Sequence, residues 1–259
     1  MLGFATHDED LASFKAAMET TYDVNDFEDA SYFLGLELQW SPSGDEVTIG
    51  QQKYAKSILE RFNMDKTMPA RTPMEERFRD QLFKVQEVIN FRPRPAIGVL
   101  LYMTVNTRPD MATAVRILAQ EIETPTDCLK HGVEHVFRYL RNTHDFGLVY
   151  KSSAVKGLAV YCDAAFAVER NAKSATGYAI FYDGCLIEWN KQSMVTLSFT
   201  EAAYIAMGSG VQECIGINLV LKDLGLEVDL ITVFGDNQGA QHLAESKAVT
   251  QRSRPIDTK

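Results

Sequence analysis

Three carboxylates in the C-terminal part of this sequence have types and positions that could do chemistry: Asp163, Glu201 and Asp236. Asp163 closes an alternating segment, 157–163, with Leu158, Val160 and Cys162 on one face and Ala159, Tyr161 and Asp163 on the other. Glu201 follows Ser198-Phe199-Thr200 in the first turn of a long helical stretch, and Asp236 ends a short β-rich run over 230–234. Strand ends and a helix start converge on one edge of an α/β sheet, where ligands bind. Hard oxygen ligands from separate elements suit Mg²⁺. Two such ions about 4 Å apart activate a water and stabilise the leaving oxygen of a phosphodiester. The spacing also admits a plainer reading, because Asp is a common turn and cap residue and Glu201 would stabilise its helix N-terminus.

The elements that must position these groups fall into two parts. Residues 8–20 predict an amphipathic helix, and 32–40 and 47–50 predict strands around the turn cluster Ser41-Pro42-Ser43-Gly44-Asp45. A helix comes next over 51–62, then a polar, Pro69- and Pro73-containing connection to Asp80 that is the best linker candidate in the first half. The apolar run 97–103, the Thr107-Arg108-Pro109-Asp110 helix start and the stretch opened by Thr124-Pro125-Thr126-Asp127 make the middle helical. After Lys151 the period becomes strand-like: 157–163, then 177–182 and 186–189 around an Asp183-Gly184 hairpin turn. A helix over 200–224 closed by Gly225, a strand over 230–234 and a helix over 238–244 complete an α/β layer with a mixed sheet. The expected organisation is a mainly helical unit with a short β-hairpin over 1–153 and an α/β unit over 154–259.

Composition narrows the class. A hydrophobic fraction of 46% and a charged fraction of 24% are ordinary for a soluble globular chain. The start, Met1 to Asp8, lacks the basic and apolar regions of a signal peptide, and no apolar run approaches the length of a membrane span, so an intracellular soluble protein is expected. The cysteines, Cys128, Cys162, Cys185 and Cys214, are widely separated and predict free thiols rather than a disulfide framework or zinc knuckle. The net charge of −9 runs against the basic balance usual for nucleic-acid binders, although bound cations in an acidic site restore local positive charge.

Longer motifs add a resemblance. Tyr161-Cys162-Asp163-Ala164-Ala165-Phe166-Ala167, Lys173-Ser174-Ala175-Thr176-Gly177-Tyr178, Glu188-Trp189-Asn190-Lys191-Gln192, Ser198-Phe199-Thr200-Glu201-Ala202-Ala203-Tyr204 and Asp236-Asn237-Gln238-Gly239-Ala240 resemble, in order, the ribonuclease H domain of copia/Ty1-type retrotransposons. Upstream, Tyr32-Phe33-Leu34-Gly35-Leu36-Glu37-Leu38 resembles the primer-grip hairpin of their reverse transcriptases. The segments 54–64 and 72–74 resemble those that follow this hairpin, and Ile97-Gly98 through Leu101-Tyr102, Thr107-Arg108-Pro109-Asp110 and Arg138-Tyr139-Leu140-Arg141 resemble the thumb and connection.

The resemblance implies a ribonuclease H-like fold and two Mg²⁺ ions (or Mn²⁺) on Asp163, Glu201, Asp236 and a fourth carboxylate, Asp257. The implied activity is hydrolysis of RNA in an RNA–DNA hybrid, leaving a 5′-phosphate. It implies as partners the hybrid and the rest of the Pol polyprotein, with no membrane, acting in cytoplasmic virus-like particles or the nucleus. Lys173-Ser174 and Asn190-Lys191-Gln192 are expected near the hybrid backbone. Departures from the family pattern stand at Ala165, Phe166, Ala203 and Pro255. The family's paired polymerase aspartates would precede Met1 and the domain's closing segment would come after Lys259, so no polymerase activity is expected. A truncated, inactive fragment is the alternative to an active nuclease. His131-Gly132-Val133-Glu134-His135 also matches the His-x-x-Glu-His pattern of one zinc-peptidase class, but a solvated helix face that needs no metal is the preferred reading. The order Asp-Glu-Asp of the main trio differs from the Asp-Asp-Glu of integrases.

Overall fold

The computed structural model describes residues 7–23, 30–84, 86–166, 173–226, 228 and 230–245. Helix α1 (Asp8–Thr21) precedes an antiparallel sheet in the order β1 (Tyr32–Phe33), β2 (Leu36–Trp40), β3 (Glu46–Gly50), β4 (Gly147–Lys151). Between β3 and β4 the chain forms α2 (Gln52–Arg61), α3 (Phe78–Leu82), α4 (Pro93–Asn106), α5 (Pro109–Ala119) and α6 (Asp127–Asn142). A second sheet has the order β7 (Cys185–Met194), β6 (Ser174–Tyr182), β5 (Leu158–Ala165), β8 (Ile231–Phe234). It is flanked by α7 (Phe199–Asp223) and α8 (Gln238–Glu245). Its β5–β6 and β6–β7 pairs are antiparallel and β5–β8 is parallel, the mixed sheet that the sequence predicts.

The first half is less purely helical than expected. The predicted single strand over 32–40 is two strands, because the chain reverses at Leu34 and Gly35, both at positive φ (49° and 85°), and pairs Phe33 with Leu36. That is the two-residue hairpin geometry matched to strand twist, here with a leucine where Asn or Gly is usual. Strand β4 went unpredicted. Five residues long, it exists by pairing with β3, with Tyr150 opposite Val47, across nearly the whole helical region.

The expected linker is also not free. Arg141 and Arg138 donate to the carbonyls of Thr67 and Met68, the latter at 2.6 Å. The Ala70 amide donates to the Arg138 carbonyl at 3.1 Å, and His135 Nε2 meets the Thr72 carbonyl at 2.9 Å. Residues 135, 138 and 141 share one side of α6, so the segment 67–75 is strapped along that helix. His135, expected on a solvated face, is therefore 8% exposed. Tight packing continues at Gly132, where a Cβ would sit 2.6 Å from both the Phe78 ring and a Leu118 methyl. Only glycine lets α3 and α5 approach α6 this closely.

Among the described residues the largest fully buried side chain is a charged one, Arg108, 1% exposed. Its guanidinium donates to both carboxylate oxygens of Asp110 (2.9 and 2.7 Å) and to the carbonyl and hydroxyl of Thr143 (2.8 and 2.6 Å). The Tyr139 and Phe146 rings lie 5.7 and 5.6 Å from its central carbon. The Thr107-Arg108-Pro109-Asp110 helix start thereby also anchors the end of α6 and the approach to β4.

In the second unit, Ala202, Ala206, Gly210 and Cys214 of α7 pack on Leu158, Val160, Cys162, Tyr178 and Ile180. These small residues, together with Ile215, Leu219 and Val220 on the exposed side, make α7 long and apolar enough to cross a membrane by length and composition. The expectation that no segment reaches that length is corrected: Glu201, Glu213 and Lys222 break up the run in the sequence, and the helix has to be delimited before its length shows. All four cysteines are free, and burial pushes the Cys162 and Cys214 thiols up to about 11, which leaves them inert.

Replacing Arg108 empties a buried site and leaves the partly exposed Asp110 carboxylate and the Thr143 carbonyl without their donor. Arg108→Ala should cost about 2–4 kcal/mol in urea denaturation, from the cavity and the lost hydrogen bonds. Burial raises the Asp110 pKa, but the hydrogen bonds and charge of Arg108, joined by the Tyr139 hydroxyl, outweigh it and hold the group below the usual carboxylate range. A depressed folded pKa contributes stability that is present above about pH 4 and lost as the pH falls through the lower folded value. The acid loss of stability should therefore be shallower in Arg108→Ala than in the parent.

Candidate carboxylate site

The register of the second sheet brings two of the predicted carboxylates together. In the parallel pair β5–β8, Tyr161 lies opposite Phe234. Carrying that register forward two residues places Asp236, past the end of β8, beside Asp163 near the carboxyl end of β5. The contact near Gly235 agrees, since a Cβ there would sit 3.8 Å from the Cys162 carbonyl. Both aspartates are exposed and share the face of Tyr161 and Phe234, opposite the face that packs on α7. Asp236 is followed by Asn237, whose side-chain oxygen accepts from the Ala240 amide at 2.9 Å and caps α8.

Glu201 is placed differently. It is 1% exposed, in the first turn of α7, on the covered side of the sheet. Its Oε2 accepts from the Leu197 amide at 2.6 Å while its own amide donates to Ser198 Oγ at 3.1 Å. This is a capping box that reaches back one residue further than usual. The three residues do not form a compact ligand set: among the described residues, the group that brings three ligand atoms within 4.8 Å of one another is a different one, Glu75, His131 and His135. The fourth predicted carboxylate, Asp257, lies outside the described residues.

Asp163 and Asp236 open onto a cleft of about 770 Å³ between the second sheet and α5. Its floor holds Tyr161 stacked on Phe234 (ring centroids 4.6 Å apart, 13° between planes), with Phe181 edge-on at 5.5 Å. Trp189, Asn190 and Lys191 of β7 line one side, and Pro109, Ala112 and Thr113 of α5 form the far wall. Strand β7 is pinned to α4 by Trp189 Nε1 donating to the Thr104 carbonyl at 2.8 Å and to α5 by Arg116 Nη1 donating to Ser193 Oγ at 2.8 Å. Of the predicted backbone-contacting residues, Asn190 and Lys191 reach the cleft. Ser174 does not: it is fully buried, 2.6 Å from Thr196 Oγ1. The aromatic floor went unpredicted, yet the signal was present as an aromatic residue two positions before each aspartate, Tyr161-x-Asp163 and Phe234-x-Asp236.

No family model matches the chain. Curated relatives do. The Pol polyprotein of transposon TNT 1-94 from Nicotiana tabacum is 33% identical over 96% of the chain, and that of transposon RE2 from Arabidopsis thaliana is 31% identical over 93%. The chain belongs to the copia-type retrotransposon Pol polyproteins. It spans 19% of the first relative's length and 17% of the second's. Among solved structures, ribonuclease H1 from Halobacterium salinarum shares 18% identity over 38% of the chain and 69% of its own, with a TM-score of 0.28, too slight a likeness to carry an argument. Within this Pol segment, Thr107–Asp110 and Arg138–Arg141 acquire physical roles: the first forms the buried arginine anchor and the second straps residues 67–70 to α6.

The two kinds of carboxylate should separate in stability measurements. Glu201→Ala leaves the Leu197 amide without its partner and should cost about 1–3 kcal/mol in urea denaturation. Asp163→Asn and Asp236→Asn, exposed and adjacent to a like charge, should stay within about 0.5 kcal/mol of the parent or gain slightly.

Proposed function

We propose that this Pol segment carries a ribonuclease H-like nuclease centred on Asp163 and Asp236, acting on the RNA strand of an RNA–DNA hybrid. The observation that carries the reading is that Asp163, within β5, and Asp236, two residues beyond β8, line one cleft at the end of this parallel pair, the edge where α/β sheets bind ligands. Paired exposed oxygens of this kind fit Mg²⁺, or Mn²⁺. Such ions, when bound, would supply an activated water and stabilise the leaving oxygen. Glu201 would serve as a further ligand while its Oε2 also holds the Leu197 amide, sharing one carboxylate between cap and cation. Lys191 and Asn190 stand on the side of the cleft to meet a phosphate backbone. The bound cations and Lys191 would offset, within the cleft, a chain charge of −9. In the longer polyprotein, the remaining parts of Pol would present the hybrid.

One observation favours the other reading, a catalytically silent relative. Glu201 is buried and committed to its helix cap, so the fold has a structural use for it that persists without catalysis.

Cleavage of an RNA–DNA hybrid labelled on the RNA strand, in Mg²⁺, separates the two. An active nuclease shortens the RNA, and Asp163→Asn lowers the rate at least about a hundredfold, the equivalent of the several kcal/mol that a bound cation contributes. Indistinguishable background in parent and variant would leave the silent relative standing.

A further inference from the structure

The sequence pattern His131-Gly132-Val133-Glu134-His135 supplies only part of a three-residue cluster. Glu134 is not its third member: half-buried, it pairs instead with Lys130, 4.0 Å away and one turn earlier on α6. The third member comes from the strapped segment ahead of α3. Glu75 Oε1 stands 3.3 Å from His131 Nε2 and 3.3 Å from His135 Nδ1. One ligand atom of each residue lies within 4.8 Å of those of the other two.

The state of His135 makes this more than a surface cluster. Its side chain is 10% exposed, and Nε2 is engaged by the Thr72 carbonyl at 2.9 Å. A carbonyl only accepts, so Nε2 carries a proton, and in the neutral ring Nδ1 presents a lone pair. Nδ1 is buried without a hydrogen-bond partner and faces the Glu75 carboxylate, itself an acceptor. Two acceptors held 3.3 Å apart call for a cation between them. The geometry suits one: ligands on a tetrahedral ion with bonds of about 2.0–2.1 Å are about 3.3–3.4 Å apart. The Thr72 carbonyl behind His135 is the outer partner that fixes the ring and tautomer of a metal-bound histidine.

We propose that Glu75, His131 and His135 form a binding site for a divalent transition-metal ion of the zinc type. Two imidazoles and one carboxylate suit this class better than Mg²⁺ or Ca²⁺, which prefer oxygen ligands. Glu75 and His131 are 44% and 51% exposed, so the fourth position opens to water. The ion would clamp the strapped segment to α6 at the end opposite the arginine contacts, two elements joined otherwise by hydrogen bonds to backbone carbonyls. The site shares no residue with the carboxylate pair, and its test is independent of nuclease activity.

The test uses the full chain, dialysed against Zn²⁺, with bound metal counted by atomic absorption and affinity measured by chelator competition. The parent is expected to hold one Zn²⁺ per chain and to show the intense visible bands of four-coordinate Co²⁺ after substitution. Glu75→Gln and His131→Ala, both at half-exposed positions that the fold tolerates, should each weaken binding at least about tenfold, while Glu134→Gln, outside the cluster, should leave it unchanged. Zn²⁺ should also raise the melting temperature of the parent but not of the Glu75→Gln/His131→Ala double variant. Absence of binding at micromolar free Zn²⁺, as expected if only a proton sits between Glu75 and His135, would overturn the proposal. So would equal affinity in parent and double variant.

Discussion

A single buried cation holds the first half of this molecule in register. Arg108 sits at the junction of α4 and α5, yet its guanidinium is satisfied by Asp110 on one side and by Thr143, beyond α6, on the other. A charge this deep is tolerated only when nearly every donor is engaged, and the four hydrogen bonds and two flanking rings achieve that. The consequences run outward in both directions. Fixing Thr143 sets where the chain leaves α6, and hence where β4 meets β3. Fixing the start of α5 sets the wall against which β7 docks, and hence the cleft in front of Asp163 and Asp236.

The carboxylates illustrate how one fold assigns different work to similar groups. Asp163 and Asp236 share an exposed strand-end position because strand alternation sends both to the face away from α7. Glu201 starts a helix packed on the other face, where the unsatisfied amides of the helix terminus compete for it. The structure thus gives the pair a ready chemical role and the glutamate a structural one. A nuclease reading asks the third carboxylate to serve its helix cap and a metal ion together.

The strap along α6 has a comparable logic. A polar, proline-containing stretch packs only Ala70 and part of Met74 into the apolar core, and docks otherwise by offering carbonyls to nitrogen donors at helical spacing. Glu75 arrives beside His131 and His135 only because of that path. On an isolated helix the same histidines would present a solvated face.

Local pattern was enough to find the α/β layer, the mixed sheet, the α7 helix and the face shared by Tyr161 and Asp163, because alternation, helix period and turn residues act between near neighbours. The ordered motifs were enough to place the chain among copia-type Pol polyproteins. What sequence could not supply was every feature made by residues far apart along the chain. Strand β4 forms through pairing with β3, the aspartate pair depends on a parallel register between strands more than sixty residues apart, and Glu75 meets the histidines across fifty-six residues. Glu201 shows the same limit at short range, for its residue type and position suited both cap and ligand, and only burial beneath the sheet decided which contact it makes. Local sequence fixes which face a side chain presents; tertiary packing decides what stands opposite it.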